Sequence, residues 1–323
     1  MYRTIMVPTD GSGFDREAIR VALRIAERTD AKVRLVRVLA AGSLFGVAAA
    51  AEGTAIAAEV VRSERDRAWS ELYSLAAECR ATSRAGISVD LHVGPVADVL
   101  QGYARRNDID LIVISTHGRS GISRLSLGSV TDSLIRHTTI PVLVVKPPMS
   151  YLNPQVREAF KRIVVPLDGS TLAEQILPRV LALAKFEEAE ITLLNVLIPQ
   201  SYSQKEIVDP SMPWWDDDIS VARSYLFRVA GRLRRSGVPV TTDIVISENV
   251  ASAIGDFANR EKADLIAIAT HGRGGLARMF RGSVADAVMH SARASMLVFK
   301  PNKAAEKEAS PFADVAGADL IPA

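Results

Sequence analysis

Short apolar runs and longer amphipathic stretches alternate along the chain. In the first half the pattern predicts strands at Thr4–Val7, Lys32–Leu39, Ser88–Val93, Leu111–Ser115 and Val142–Val145. Between them, apolar residues at helical spacing predict helices at Asp15–Glu27, Glu59–Arg84, Ala97–Asn107 and Ser129–His137. The second half repeats this order, with elements that open at or contain Ile163, Leu172, Ile191, Val221, Thr241, Ala251, Leu265, Ser283 and Met296. Apolar runs separated by helices of this length predict βαβ units and a parallel sheet. Runs such as Leu-Ile-Val-Ile at Leu111–Ile114 suit strands buried on both faces.

The two halves are copies. Ile5–Ser12 (Ile-Met-Val-Pro-Thr-Asp-Gly-Ser) returns as Ile163–Ser170 (Ile-Val-Val-Pro-Leu-Asp-Gly-Ser), 158 residues later. Ile112–Lys146 aligns without gaps to Ile266–Lys300 at an offset of 154, with 15 of 35 positions identical. A period of this length marks a duplicated domain rather than a solenoid. The expected boundaries are a first domain over residues 1–147, a Pro-rich linker over 148–160, a second domain over 161–302 and a mobile tail over 303–323.

Composition narrows the class. Of 323 residues, 48% are hydrophobic and 24% charged, an ordinary balance for packed domains. A net charge of +2, with no Lys/Arg block, points to neither nucleic acid nor a membrane surface as partner. Cys79 is the sole cysteine, which excludes an intramolecular disulfide and a cysteine metal cluster and fits a reducing compartment. Met1 leads straight into an apolar strand, without the pattern of a secretory leader. Leu39–Val61 is the most membrane-like stretch, but Glu52 and Glu59 interrupt it, so it reads as a loop leading into a helix. The expectation is a cytoplasmic protein.

In open parallel sheets, ligands bind beyond the carboxyl ends of the strands where the strand order reverses. In a five-stranded sheet of order 3-2-1-4-5, strands one and four flank that point. The unusual residues cluster after those two strands. Pro8-Thr9-Asp10-Gly11-Ser12 follows strand one, and Ser115-Thr116-His117-Gly118-Arg119-Ser120-Gly121 follows strand four and runs on to Gly128-Ser129-Val130. The second copy has Pro166-Leu167-Asp168-Gly169-Ser170, then Ala269-Thr270-His271-Gly272-Arg273-Gly274-Gly275, then Gly282-Ser283-Val284. Glycines let backbone N–H groups approach an anion, and a helix N-terminus adds orphan donors and a positive dipole end. Arg119, Arg124, Arg273 and Arg278 add positive charge, and Ser129 and Ser283 add hydroxyls. Asp10 and Asp168 would repel phosphate, so they belong at a base or ribose end.

These motifs resemble the universal stress proteins. The strand-one signature Val-Pro-x-Asp-Gly-Ser is present twice. Gly118 followed by nine residues and Gly128-Ser129, and Gly272 followed by nine residues and Gly282-Ser283, resemble the phosphate motif of that family's ATP-binding branch. Thr-His-Gly-Arg, Gly-Ser-Val and the closing Pro-Val-Leu-Val-Val-Lys and Met-Leu-Val-Phe-Lys strands also resemble it, and the resemblance spans nearly all of residues 1–301. The resemblance implies two tandem doubly wound α/β domains with five-stranded parallel sheets, similar to the adenine nucleotide alpha hydrolases. It implies ATP as ligand, with a divalent ion such as Mg suggested only by the chemistry of phosphates. Asp10 and Asp168 would contact the adenosine end, and Val38 and Val196 the adenine. Gly118, Gly128, Ser129 and Val130, and in the second copy Gly272, Gly282, Ser283 and Val284, would hold the phosphates. Pro8, Thr9, Ser115, Thr116, Arg119, Pro166, Leu167, Ala269, Thr270 and Arg273 complete the candidate set. It further implies an internal pseudo-dimer of the two domains, a homodimer, unidentified protein clients and a role in stress response.

The sequence departs from the family pattern where its first glycine is Ser115 in one copy and Ala269 in the other, and where Ser247-Glu248-Asn249 replaces Val93-Gly94-Pro95. These substitutions favour the first site over the second and keep open a structural stress protein without nucleotide. Several residues carry a second reading. Ser129-Val130-Thr131-Asp132 and Ser283-Val284-Ala285-Asp286 also fit helix capping boxes. Asp10 and Asp168 also fit a local turn or cap. His117 and His271 fit backbone hydrogen bonding, and Trp214-Trp215 ahead of Asp216-Asp217-Asp218 fits a helix start or a lid. No P-loop, dinucleotide fingerprint or nucleophile elbow is present. A nucleotide-binding module is therefore expected, with slow ATP hydrolysis or self-phosphorylation as the enzymatic alternative.

Overall fold

The computed structural model describes residues 2–13, 15–40, 54–116, 128–146, 160–199, 215–270 and 283–301. The chain divides into two compact units, residues 1–156 with Ser295–Val298, and residues 157–294 with 299–323.

The first unit runs β1 (Thr4–Thr9), α1 (Arg16–Thr29), β2 (Lys32–Ala40), α2 (Thr54–Thr82), β3 (Gly86–Gly94), α3 (Val96–Arg106), β4 (Leu111–Ser115), α4 (Ser129–His137) and β5 (Val142–Val145). Its strand order is β3-β2-β1-β4-β5, all parallel, as the alternation of strands and helices predicts. Ser295–Val298, from β10 (Ser295–Phe299), also belong to this unit and run antiparallel to β5, with Leu297 opposite Leu143. The core is the sheet's own side chains, Ile5, Met6, Leu35, Ile112 and Leu143 among them, covered by helix faces such as Ala18, Ala22, Ile25 and Ala26 of α1.

The second unit runs β6 (Arg162–Pro166), α5 (Thr171–Glu174), α6 (Leu177–Glu187), β7 (Glu190–Leu197), α7 (Trp215–Arg234), β8 (Val240–Ile246), α8 (Val250–Arg260), β9 (Leu265–Ala269) and α9 (Ser283–Ser291). Strands β8-β7-β6-β9 lie parallel in that order. Where the first copy has the single helix α1, the second has α5 and then α6. Pro178 sits in the first turn of α6 and brings no N–H, so the helix restarts there rather than running through. Trp215 opens α7, which places Asp216, Asp217 and Asp218 in its first turn and settles that segment as a helix start.

The duplication reaches into details that the sequence motifs did not flag. Asp110 accepts hydrogen bonds from the N–H groups of Arg3 and Thr4, and Asp264 accepts them from Lys161 and Arg162. Each carboxylate thus ties the start of one strand to that of its neighbour. Asp30 and Glu188 end α1 and α6 in the left-handed conformation, at φ 55° and 53°, donating back to Ala26 and Ala184. Asp108 and Lys262 repeat that conformation ahead of β4 and β9, at φ 48° and 52°.

One pair differs in chemistry. Tyr103 of α3 and Phe257 of α8 take the same place and are 3% and 2% exposed. The Tyr103 hydroxyl donates to Asp90 at 2.5 Å and accepts from Arg34 at 3.2 Å. Burial first, and then the Asp90 carboxylate, push the phenol up to about 12. An unfolded tyrosine ionises near 10. The folded chain keeps its proton while the unfolded chain loses it, so this contribution is intact below about pH 10 and is lost as pH rises through about 12. Melting curves between those values should therefore fall more steeply for the unmodified protein than for Tyr103→Phe.

Candidate functional site

Strands one and four of the first copy lie side by side, with Ile5 opposite Leu111 and Met6 opposite Ile112. Their carboxyl ends bring Pro8, Thr9 and Asp10 close in the sheet to Ser115 and Thr116. Val38 lies near the end of neighbouring β2. Beyond β4, α4 returns to the same edge. A Cβ on Gly128 would stand 3.7 Å from the Thr116 carbonyl oxygen, and the Thr131 hydroxyl donates to the Ser115 carbonyl at 3.4 Å. The first turn of α4 is therefore held directly against the end of β4.

Helix α4 opens without a side-chain cap. Its N-cap is Gly128, at φ −61° and ψ 143°, and Ser129 is already the first helical residue. The Asp132 N–H bonds to the Gly128 carbonyl at 3.0 Å. A capping box anchored on Ser129 does not form, because the cap position falls one residue earlier, on a residue with no side chain. Ser129 is exposed and Val130 half-buried at this helix start. In the second copy Ser283 likewise opens α9.

The acidic turns have the same geometry in both copies. Asp10 Oδ1 accepts from Ser12 N–H at 2.8 Å, and Asp168 Oδ1 accepts from Ser170 N–H at 2.9 Å. Gly11 and Gly169 take φ of 75° and 86°, which only glycine adopts without strain. The turn reading of both aspartates is thus realised. Thr9 also donates its hydroxyl to buried Asp15.

In the second unit the strand ends enclose a cavity of about 190 Å³. Seven residues singled out from the sequence line it: Pro166, Leu167, Asp168, Val196, Ala269, Thr270 and Val284. Sequence reasoning missed the rest of the wall. Leu194 and Ile198 flank Val196 at the two-residue period of β7, and Val250 and Ile254 form an i, i+4 pair on α8. Those periods were visible, but nothing marked those residues as more than core. The wall is mostly aliphatic, with Asp168 and Thr270 as polar groups, and suits a flat apolar ring with a polar edge. Its volume is below the roughly 300–1,000 Å³ of pockets that enclose a whole drug-sized ligand.

Gly118, Arg119, Gly272, Arg273 and Gly282 lie outside the described residues, as do His117, His271, Arg124 and Arg278. The Ser283 side chain, Trp214, most of the linker and the tail lie outside them too. Among the described residues, no group of three or more His, Cys, Asp or Glu side chains converges on one point, and no helix is long and apolar enough to cross a membrane.

Two units of alternating strands and helices, each with an acidic turn after its first strand, define a tandem α/β class. The model of the universal stress protein family matches residues 1–146 and again 159–300. The chain belongs to that family, in a tandem two-domain form. A universal stress protein of Methanocaldococcus jannaschii is 33% identical over 149 residues, covering 46% of this chain and 84% of that protein. One from Mycolicibacterium smegmatis is 23% identical over 301 residues, covering 92% of this chain and 97% of that protein. The crystal structure of a universal stress protein from Archaeoglobus fulgidus superposes with a TM-score of 0.67 at 18% identity, covering 93% of this chain and 97% of that one.

Proposed function

We propose that this protein is a nucleotide-responsive binding module in which each copy holds ATP across its switch point. The observation that carries the proposal is the second-unit cavity, whose aliphatic wall and acidic rim join seven residues of the sequence motifs that point to nucleotide chemistry. In this reading the adenine lies against Val196 and, in the first copy, Val38. Asp168 and Asp10 accept from the ribose hydroxyls. The phosphates run toward the N-termini of α9 and α4, where Gly282 and Gly128 permit close approach and Ser283 and Ser129 add hydroxyls. Gly118, Arg119, Gly272 and Arg273 complete the phosphate end. When ATP is bound, its phosphates supply the negative charge that a divalent ion such as Mg would balance.

In the same proposal the domains are residues 1–147 and 161–302, joined by 148–160 and followed by a tail over 303–323. They act as an internal pseudo-dimer in the cytoplasm and pass nucleotide state to protein clients during stress. Calorimetric titration of nucleotide-stripped protein with Mg-ATP tests the binding step. Two sites per chain are expected. ATP at 100 times its dissociation constant should raise stability by about 2.7 kcal/mol. No heat and no thermal shift at millimolar ATP would overturn the proposal.

A further inference from the structure

The two copies share one plan, so the places where they differ beneath the site are informative. Arg37 lies on β2 opposite Thr9 and is 4% exposed. Its guanidinium reaches under the turn after β1, with three of its atoms 3.0–3.3 Å from where a Cβ on Gly11 would stand. Its Nη1 donates to Glu71 Oε2 of α2 at 2.6 Å. The acidic turn of the first copy therefore rests on a buried, ion-paired guanidinium.

The second copy supports its turn differently. At the 158-residue offset that puts Pro8 opposite Val36 and Pro166 opposite Leu194, Arg37 corresponds to Asn195. The buried stripe Ala68, Leu72, Ala76 and Cys79 of α2 is matched 154 residues later by Ala222, Leu226, Ala230 and Leu233 of α7, so Glu71 corresponds to Tyr225. Asn195 donates to the Leu167 carbonyl at 2.7 Å, and its buried Oδ1 has no hydrogen-bond partner among the described residues. Among the described residues, nothing lies within 4 Å of where a Cβ on Gly169 would stand. The turns above are otherwise alike, with the same Asp-to-Ser hydrogen bond in each.

We propose that Arg37 is a positioning residue that holds the first copy's acidic turn in place from below, and that this makes the first nucleotide site the tighter of the two. The second half of the proposal rests on the nucleotide reading above; the first half does not. A guanidinium offers a rigid planar fork, so its pairing with Glu71 fixes one geometry. A turn already fixed needs no ordering when ligand arrives, and that saving appears as affinity. In the second copy a single neutral hydrogen bond from Asn195 to Leu167 takes the guanidinium's place and leaves more of the turn for the ligand to order. Arg37 points to the face of β2 opposite Val38, so it acts through the turn and not on the ligand.

Amide hydrogen exchange on the full chain without nucleotide tests the first half. Ser12 N–H should exchange about tenfold more slowly than Ser170 N–H, and Arg37→Asn should bring the two together. Arg37→Lys, which keeps charge without the fork, should fall between, and Glu71→Gln should loosen Ser12 without deleting the guanidinium. Equal protection in the unmodified chain, or a Ser12 rate unmoved by Arg37→Asn, overturns the proposal.

Mg-ATP titration tests the second half, with Asp10→Ala and Asp168→Ala used to assign each site. Arg37→Asn should weaken the first site about tenfold and leave the second unchanged. Grafting Asn195→Arg with Tyr225→Glu should tighten the second site, a gain that loss of folding cannot imitate. A graft that alters Ser170 exchange but not affinity overturns the link from turn rigidity to binding. If the unmodified chain takes up no nucleotide, the nucleotide reading falls together with the affinity claim, while the exchange rates still decide whether Arg37 holds the turn.

Discussion

Gly128→Asp should abolish nucleotide binding at the first copy while leaving its stability unchanged or slightly raised. The backbone at Gly128, φ −61° and ψ 143°, is open to any residue, and a Cβ there would meet Thr116 and Thr131 at 3.7 and 3.9 Å, ordinary contact distances. Asp is a better N-cap than Gly by a few tenths of a kcal/mol, so α4 gains the cap it lacks. The same carboxylate occupies the N–H groups that the phosphates need and repels them. A like charge about 4 Å away costs roughly 4 kcal/mol at the effective dielectric near a protein surface, which corresponds to a loss of a hundredfold or more in affinity. Gly128→Ala separates shape from charge, and should weaken binding less than Gly128→Asp does. Titration of both variants beside thermal melts decides the matter. Unchanged ATP affinity in Gly128→Asp would place the phosphates elsewhere, and a fall in melting temperature would make the glycine structural.

The largest stability effect is expected from Phe257→Ala. Phe257 is among the largest fully buried side chains, and it lies on α8 one turn beyond Ile254 and two beyond Val250, both in the cavity wall. Truncating a buried phenylalanine costs about 3–5 kcal/mol through lost transfer energy and the void left behind. For a domain of this size the melting temperature of the second unit should fall by roughly 10 °C. The Arg260 guanidinium, 5.0 Å from the ring centre, loses its aromatic partner as well. Because α8 forms one wall of the cavity, binding at the second copy should weaken in parallel while the first copy is spared. Differential scanning calorimetry with and without Mg-ATP reads both. A loss under about 1 kcal/mol would mean that α8 is held by contacts other than this ring.

A charge reversal between the copies shows how alike they are beneath different sequences. Arg16 pairs with Glu78 across α1 and α2 at 2.9 Å, and at the corresponding positions Glu174 pairs with Arg232 at 2.5 Å. The first pair is more than half exposed, so Glu78→Gln should cost under about 1 kcal/mol. The second is largely buried, so Glu174→Gln should cost about 1–3 kcal/mol by replacing a charge-assisted hydrogen bond to Arg232 with a neutral one. Urea unfolding of the two variants should separate them in that order.

Much of this protein is legible in one dimension because its determinants are local or repeated. A strand buried on both faces needs a run such as Leu111–Ile114, and a helix lying on a sheet needs the spacing of Ala18, Ala22, Ile25 and Ala26. Duplication printed each signal twice, which located the Asp10 and Asp168 turns and the starts of α4 and α9. Single residues whose meaning depends on a distant partner were not legible. Asp110 and Asp264 carried no signal in the sequence; the fold brings each to the N–H groups of a strand start more than 100 residues away. Gly255 carried no signal in the sequence; in the fold a Cβ there would stand 2.6 Å from Ser291 Oγ and 3.3 Å from Ser291 Cβ, so its absence lets α9 pack close. Ser129 looked like a cap, but the helix begins one residue earlier than a capping box requires.

The sequence alone determined the two units of alternating strands and helices and the two turns and helix starts where chemistry is expected. These follow from periodicity and from the backbone freedom of particular glycines. The tertiary structure alone decided which side chains stand beneath those turns: a paired guanidinium in one copy and, in the other, an amide with a buried oxygen that has no partner among the described residues. Arg37 and Glu71 are 34 residues apart and follow no common period. Only the packing of α2 against the sheet brings them within 2.6 Å, with the guanidinium buried and the carboxylate reaching it from the half-exposed side.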